Sequence, residues 1–277
     1  MAVKGVDISA WQKGLSLAKV KDAGKKFVIL RAGFTGINSG TQKNVDATFR
    51  TFYKRAKAEG LGVGAYWYSC ANTYAKGKAE AEFMIKKCLK GKQFEYPIYI
   101  DVEEKKWQTV GKKAVGKAIK GFCETMEKHG YYAGFYTSTY FLNAYIDKAI
   151  VKDYDLWLAN WSSSKPSIGR GFGMWQYTDA TKVAGRSLDG DIAYKDYPQI
   201  MKSKGLNGFK KPAKDTGKKD TEPVKKPATK KKSVVTLAKE VINGKWGNGD
   251  NRVKKLKAAG YDPTKVQAEV NKLMGKK

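Results

Sequence analysis

Two carboxylates follow one apolar run, in Tyr96-Pro97-Ile98-Tyr99-Ile100-Asp101-Val102-Glu103-Glu104. The run predicts a strand, in which alternate side chains share a face, so we expect Asp101 and Glu103 to point the same way, with Cβ atoms ~6.6 Å apart. Carboxylates this close resist ionising together, which raises one pKa. A protonated acid beside an ionised one is the pair that cleavage of a glycosidic bond requires. The alternative is a strand that simply ends in solvated acids.

Strands and helices must alternate to bring these acids together with Asp7 and Asp191. The hydrophobic pattern predicts helices over 15–23, about 45–59, 75–89 and 112–128, between strands over 3–9, 27–32, 61–68, 98–103 and 131–136. Three further strands, 156–161, 172–177 and 191–194, follow with short loops. The predicted fold class is therefore α/β, an irregular TIM-like barrel of five βα units followed by three strands, with the acids at strand ends.

Catalysis by cysteine, histidine or a metal has few candidate residues in this sequence, which contains three cysteines and one histidine. The three cysteines, Cys70, Cys88 and Cys123, form no C-x-x-C pair, which favours buried reduced thiols over disulfides or a thiolate zinc site. The one histidine, His129, precedes Gly130 at a predicted helix end and is interpreted as a C-cap. Nucleophilic chemistry with a Ser-His-Asp or Cys-His set would depend on that histidine alone. We expect neither a metal nor a cofactor.

The formal net charge of +28 over 277 residues predicts anionic partners, which include nucleic acid, acidic membranes and anionic cell-wall polymers. The first residues, Met1 to Gly5, contain no apolar signal core, and no apolar run is long enough to span a bilayer. We therefore expect synthesis in a reducing cytosol, without a conventional signal peptide.

The composition changes twice along the chain. Residues 202–232 are rich in Lys and contain Pro212, Pro223 and Pro227, which predicts an extended charged linker between a catalytic domain over 1–201 and a tail over 233–277. The tail predicts three helices, the last of which begins at Asp262-Pro263 with Asp as N-cap and Pro at the first helical position.

Five segments in order resemble glycoside hydrolase family 25, the lysozymes of the muramidase type. They are Gly5-Val6-Asp7-Ile8-Ser9…Trp11-Gln12, Gly62-Val63-Gly64-Ala65-Tyr66-Trp67-Tyr68, Tyr99-Ile100-Asp101-Val102-Glu103, Leu156-Trp157-Leu158-Ala159 and Trp175-Gln176-Tyr177. The resemblance covers roughly residues 3–200, about the size of one barrel domain.

The resemblance implies hydrolysis of the β-1,4 bond between N-acetylmuramic acid and N-acetylglucosamine. It makes Glu103 the general acid, Asp101 its partner and Asp7 a further acid. Asp191 matches the family's aspartate on the last strand, although Ala193 stands where an Asn is expected and Asp189 is a nearby competitor. Substrate-binding candidates, each with barrel core as the alternative for the aromatic members, are Tyr66, Tyr68, Tyr136, Trp161 and Gln176.

The tail resembles the three-helix cell-wall-binding repeat of some phage lysins, on Leu237-Ala238…Gly244-Lys245-Trp246-Gly247…Arg252…Gly260-Tyr261-Asp262. Trp246, Arg252 and Tyr261 are its wall-binding candidates. A muramidase joined to such a module is similar to a phage endolysin, made in the host cytoplasm and acting on the cell wall after release. The implied partners are peptidoglycan and anionic wall polymers, with no specific nucleic acid.

Two rival interpretations stay open. The charge and the lysine runs fit a polycationic nucleic-acid-binding protein, although the charge is densest in the linker and no nucleic-acid fold is recognised. A catalytically inactive wall-binding protein is the second, against which the acids Asp7, Asp101 and Glu103 argue.

Overall fold

The structure is a computed structural model that describes residues 2–36, 40–212, 232–242, 245–246 and 249–273. The chain divides into two compact units, Met1–Thr216 and Gly217–Lys277. Most of the predicted linker, residues 213–231, lies outside the described residues. No helix in the described ranges is both long enough and apolar enough to cross a membrane.

The first unit is a closed barrel. The strands are β1 Val3–Ile8, β2 Phe27–Thr35, β3 Lys43–Val45, β4 Gly62–Tyr68, β5 Ile98–Asp101, β6 Ala133–Ser138, β7 Asp155–Ala159, β8 Met174–Val183 and β9 Arg186–Ala193. Eight of them form the wall in the order β1-β9-β8-β7-β6-β5-β4-β2, and a parallel β1–β2 pairing closes it. Adjacent strands of the wall are parallel except around β9, which is antiparallel to both β8 and β1. The predicted barrel of eight strands is therefore confirmed.

Helices follow most of the parallel strands and cover the outside of the barrel. They are α1 Leu17–Asp22, α2 Phe49–Ala58, α3 Tyr74–Met84, α4 Lys112–Lys128, α5 Thr139–Tyr145 and α6 Tyr197–Lys204. The predicted helix over 75–89 continues past α3 as a π-helical turn, Ile85–Leu89. His129 is the C-cap of α4, as predicted.

Strand alternation separates two apolar cores. Val28 and Leu30 of β2 belong to the core that includes buried residues of the helices, whereas Phe27 and Ile29 belong to a second core with Tyr99 and Trp157. Because successive side chains of a strand point to opposite faces, the second core fills the barrel interior. The acids at the strand ends are thus held above a packed, aromatic floor.

The structure differs from the predicted helix over 45–59. Residues Lys43–Val45 form β3, which pairs antiparallel with β2, and α2 begins only at Phe49. The cause is Asp46, whose carboxylate accepts hydrogen bonds from the Thr48 N–H and hydroxyl, at 2.8 and 2.7 Å. Such a local side-chain bond offers the backbone an alternative to the helix.

The barrel also extends beyond residue 201, where the sequence predicted its end. α6 runs to Lys204, and the buried Asn207 donates from Nδ2 to the Tyr96 carbonyl and accepts from the Tyr132 N–H, at 2.8 and 2.7 Å. Leu206 and Phe209 pack against the interior core. Residues 202–209 therefore fold with the barrel because they satisfy its buried polar groups, and the predicted linker begins later than 202.

The second unit contains the three predicted helices, α7 Val234–Ile242, α8 Gly249–Ala258 and α9 Pro263–Leu273. Its small core consists of Leu237, Ala238, Val241, Leu256, Val266 and Val270, with Trp246 and Tyr261 against it. Asp262 accepts from the Thr264 N–H at 2.9 Å, which is the N-cap predicted for the last helix.

Candidate active site

Five carboxyl groups gather at the end of the barrel where the parallel strands finish. Asp7 lies near the end of β1 and Asp101 is the last residue of β5, while Glu103 follows it. In the antiparallel β1–β9 pair, Asp189 lies opposite Asp7 and Asp191 lies opposite Gly5. The structure therefore brings together all four predicted acids, and the competitor Asp189 with them.

The sequence argument for Asp101 and Glu103 needs one correction. The strand ends at Asp101, so Glu103 is not a strand residue. The last ladder bond runs from the Val102 N–H to the Tyr136 carbonyl, at 2.9 Å. The chain then turns because the Glu104 carboxylate accepts from the Lys106 N–H and caps a short 3₁₀ helix, Lys105–Thr109.

Asp101 is buried among like charges. Burial raises its pKa well above the usual range, and the charges of Glu103 and Asp7 raise it further, against a lowering by Arg31. Arg31 is itself held by Asp46, with Nε 2.8 Å from Oδ2. Asp101 Oδ1 is shielded from solvent and has no hydrogen-bond donor within the described part of the chain. An acceptor left in this state favours either protonation or a donor supplied by a ligand.

Glu103 differs from Asp101 because it is exposed to solvent. Neighbouring protein atoms nevertheless desolvate its carboxyl group, which raises its pKa, and the charges of Asp189 and Glu104 add to the rise. The nearby Tyr136 hydroxyl lowers the pKa in part. A reachable carboxyl group with a raised pKa is suited to deliver a proton to a bound molecule.

Asp7 and Asp191 form a buried pair on β1 and β9. Burial raises the pKa of both groups well above the usual range. Gln176 donates from Nε2 to Asp7 Oδ2 at 2.8 Å, and Trp157 donates from Nε1 to Asp191 Oδ1 at 2.8 Å. These hydrogen bonds fix the orientation of both carboxyl groups at the base of the site.

Asp189 lies nearer to solvent than Asp191 and is only partly buried. Burial, followed by the charge of Asp179, raises its pKa to about 6. Its charge in turn raises the pKa of both Asp7 and Glu103. Asp189 and Asp191, the two candidates for the last-strand acid, thus lie at different depths of one site. Asp191 acts on Asp7, whereas Asp189 acts on both Asp7 and Glu103.

The predicted substrate-binding residues lie around the same site. Gln176 connects two of the other candidates, because its Oε1 accepts from the Tyr136 hydroxyl at 3.0 Å and from Trp161 Nε1 at 3.2 Å. Tyr68 donates to the Glu104 carboxylate at 3.0 Å, and Tyr66 contacts Trp157 edge to face. Trp161 is 61% exposed, so its ring is available for stacking, whereas Tyr136 is buried.

Sequence reasoning missed Trp157 and Arg31 as parts of the site. Trp157 holds Asp191 across 34 positions of sequence, and Arg31 acts on Asp101 across a separation still larger. Trp157 stands within Leu156–Ala159, one of the segments that resemble the family, but no role in the site was predicted for it. One signal in the sequence could have found it. A Trp on a strand that lines the barrel needs an acceptor for its indole N–H, and the predicted acids supply one.

Replacing Asp189 with Asn is expected to lower the pKa of Glu103, because it removes a negative charge that raises it. Glu103 would then lose its proton at a lower pH than in the unmodified chain. A carbon-13 NMR titration of the Glu103 carboxyl carbon measures this. Asp179→Asn is the matched control, since the charge of Asp179 raises the pKa of Asp189 instead. A Glu103 pKa that stays constant or rises in D189N would contradict the prediction.

The three wall-binding candidates of the tail have internal partners. The rings of Trp246 and Tyr261 meet edge to face with centroids 6.1 Å apart, and Trp246 Nε1 donates to the Glu240 carboxylate at 3.1 Å. Arg252 donates from Nη2 to the Gln267 side-chain oxygen at 2.6 Å. Trp246 lines an open groove together with Lys232, Lys245 and Lys255. All three residues thus contribute to the packing of this unit.

Comparison with known proteins finds two families along the chain. The family model described as "Glycosyl hydrolases family 25" matches residues 6–186, and the model of the CW_7 repeat matches residues 236–274. The autolytic lysozyme of Clostridium acetobutylicum is 30% identical over 192 residues, which are 69% of this chain and 55% of that protein. The chain therefore spans about half the length of this relative.

Two further matches cover different shares of the chain. The lysozyme of Streptococcus phage Cp-7 is 55% identical over 42 residues, which are 15% of this chain and 12% of that protein. A family 25 glycosyl hydrolase from Bacillus anthracis superposes with a TM-score of 0.60 and 26% identity, over 74% of this chain and 93% of that structure.

Proposed function

This chain belongs to the glycosyl hydrolases of family 25, and on that premise we propose that it cleaves the β-1,4 bond between N-acetylmuramic acid and N-acetylglucosamine in peptidoglycan. The observation that carries the proposal is the pairing of the solvent-exposed Glu103 with the buried Asp101 at the mouth of the barrel. A glycosidase needs an acid that reaches the leaving oxygen and a second carboxyl group that stabilises the developing positive charge.

Glu103 acts as the general acid in this proposal. Its raised pKa keeps a proton on the carboxyl group at higher pH, and its exposure lets that proton reach the bridging oxygen. Proton transfer to the oxygen accompanies breakage of the bond to the anomeric carbon, which becomes oxocarbenium-like. Glu103, then ionised, takes a proton from the incoming water in the second half of the reaction.

Asp101 orients the substrate's own 2-acetamido group, whose oxygen attacks the anomeric carbon. The support is the Oδ1 atom that lacks a donor, because an acetamido N–H is the kind of donor that would complete it. The route passes through a cyclic intermediate that water opens, so the product retains its anomeric configuration. Proton NMR of the first-formed product tests this, and an inverted configuration would refute it. Direct stabilisation of the charge by Asp101 also gives retention if a covalent intermediate forms.

The remaining site residues bind the glycan. Trp161 presents an exposed ring beside Gln176, and Tyr66, Tyr68 and Tyr136 surround the acids. Sugar rings stack on aromatic faces through their apolar C–H surfaces, and the exposed Trp161 is suited to this. The buried Tyr136 acts instead through its hydroxyl group, which donates to Gln176 and lowers the pKa of Glu103.

The tail and the linker hold the enzyme on the wall. The match of residues 236–274 to a CW_7 repeat and the likeness to a phage lysozyme over 42 residues support a phage endolysin, made in the host cell and acting on the wall after release. Trp246, Arg252 and Tyr261 belong to the binding module in this proposal. The Lys-rich residues between the units add attraction to anionic wall polymers.

The test is an assay on purified bacterial walls. We expect turbidity to fall while new reducing ends appear at N-acetylmuramic acid. An inactive wall-binding protein would bind the walls without releasing reducing ends. A nucleic-acid-binding protein would release no reducing ends either, although salt-sensitive DNA binding alone is expected of any such polycation.

A truncated protein that ends at Pro212 should separate catalysis from wall binding. We expect its rate on short soluble muropeptide chains to stay within about twofold of the full chain, and its lysis of intact walls to fall about tenfold or more, because tethering is worth 10²–10⁴ in avidity. The end point keeps Asn207 and Phe209, which pack with the barrel.

A salt series on both proteins supplies the control. Screening should weaken lysis by the full chain more than lysis by the truncated protein, because the removed segment is basic. Loss of activity on the short chains after truncation would mean that the tail is part of the catalytic fold.

A further inference from the structure

The carboxyl groups of Asp7 and Asp191 are buried side by side, and each acts on the pKa of the other. Two ionised carboxylates can only accept hydrogen bonds, so side by side they would repel each other. A proton on one of them removes this repulsion. The hydrogen bonds around the pair decide which residue carries it.

Gln176 fixes the orientation on the Asp7 side. Its Oε1 accepts from Tyr136 and Trp161, so its Nε2 must face Asp7 Oδ2, to which it donates at 2.8 Å. An oxygen that accepts such a bond has no place for a proton in that direction. Asp7 is thus supplied with a donor and is suited to carry charge.

Asp191 has the opposite pattern. It is 0% exposed, its Oδ1 accepts from Trp157 Nε1 at 2.8 Å, and its Oδ2 is shielded from solvent without a donor in the described part of the chain. A buried anionic oxygen without a donor is costly, whereas the same oxygen with a proton becomes a donor itself. Protonation of Oδ2 resolves both the missing partner and the repulsion from Asp7.

We propose that Asp191 is a neutral carboxylic acid that keeps its proton on Oδ2 and donates it to Asp7, so that Asp7 alone carries the negative charge of the pair. Asp191 is then a positioning residue that acts through Asp7, and not a second anion of the site. The charged or titratable groups that act on Asp191 are Asp7 of β1, Asp189 of β9 and Tyr99 of β5. The two carboxylates among them disfavour a second negative charge here.

The location of the proton does not depend on the proposed function, but its catalytic consequence does. Gln176 and Asp191 hold the Asp7 carboxylate in one orientation, so the pair presents a single negative charge at a fixed position in the site. That arrangement stabilises positive charge that develops on the substrate without reorganisation. Ionisation of both acids would instead drive them apart.

Two isosteric variants decide which acid holds the proton. In D191N the amide replaces the protonated acid, since its oxygen can face Trp157 and its N–H₂ can donate to Asp7. In D7N the amide removes the charge. On short soluble muropeptide chains we expect D191A to lose activity strongly, D191N to keep at least about a tenth of wild-type kcat, and D7N to fall about 10²-fold or more, as for other preorganised charges.

The reverse ranking would assign the proton to Asp7 and overturn the proposal. Equal losses in both variants would overturn it as well, because they would mean that both acids must be charged. Thermal unfolding of each variant checks that the comparison is made on folded protein.

Infrared spectroscopy supplies a readout that does not need catalysis. At about pH 8, above the usual range of carboxyl groups, the wild-type protein should show the C=O stretch of a protonated carboxyl group that is missing in D191N. Asp189→Asn is the matched control and should keep this band, because the Asp189 pKa of about 6 leaves it ionised. Because Asp101 can contribute a band of its own, the readout is the difference between the wild-type and D191N spectra. A difference without the C=O stretch refutes the proposal even if the protein hydrolyses walls, and an inactive wild-type protein with the expected difference refutes only the proposed function.

Discussion

Glu103→Gln should remove nearly all lysis, with a fall in kcat of about 10²–10⁴-fold, the usual worth of a positioned acid. The amide has the shape of the acid but no proton to give to the leaving oxygen. Because Glu103 is exposed at the barrel mouth, the substitution leaves no cavity and strands no buried partner. We therefore expect an unchanged Tm. Release of reducing ends from short muropeptide chains measures the effect without any contribution of wall binding.

Glu104→Gln is the matched comparison, because the neighbouring glutamate is buried and already bonded to Tyr68 and the Lys106 N–H. Its loss should be much smaller than that of E103Q. If E104Q is inactive and E103Q retains activity within a few-fold of wild type, the acid has been assigned to the wrong residue. The pH profile adds a second check, since activity should fall as the pH rises through the raised pKa of Glu103.

The barrel could be predicted from sequence because its strands are apolar runs separated by helical patterns. The wall-forming segments at Phe27, Gly62, Ile98, Ala133 and Leu156 are each buried on both faces, which makes them continuous in hydrophobicity. Strand β3 could not be predicted in this way. It is three residues long and half-buried, and it exists because it pairs with β2, which local sequence does not record.

The acids of the site were predictable for a related reason. Parallel strands deliver their last residues to one end of a barrel, so polar residues that follow apolar runs meet there. What sequence could not supply was the pairing between elements. The bond from Gln176 to Asp7 spans 169 positions, and the bond from Trp157 to Asp191 spans 34. Charge state depends on such contacts, and so it needed the folded structure.

Asp101→Asn is the second substitution with a large expected effect. We expect kcat to fall about 10²-fold or more, as for other preorganised groups that stabilise developing charge. The variant removes the charge of Asp101 while preserving its shape. It also presents an N–H₂ group that can be directed at the substrate, which misorients an acetamido group that needs an acceptor. Initial rates on short muropeptide chains measure the loss, and proton NMR of the remaining activity reports the anomeric configuration.

Stability should change in the opposite direction to activity in D101N. Asp101 is buried beside Glu103 and Asp7, and its Oδ1 has no donor in the described ranges, so ionisation of its carboxyl group is destabilising in the free protein. An uncharged amide removes that repulsion, and we expect Tm to stay equal or to rise. Such a gain in stability with a loss of activity is expected where a functional site holds a buried charge that only the substrate compensates. A large fall in Tm would instead make Asp101 a structural residue, and activity within a few-fold of wild type would exclude it from the reaction.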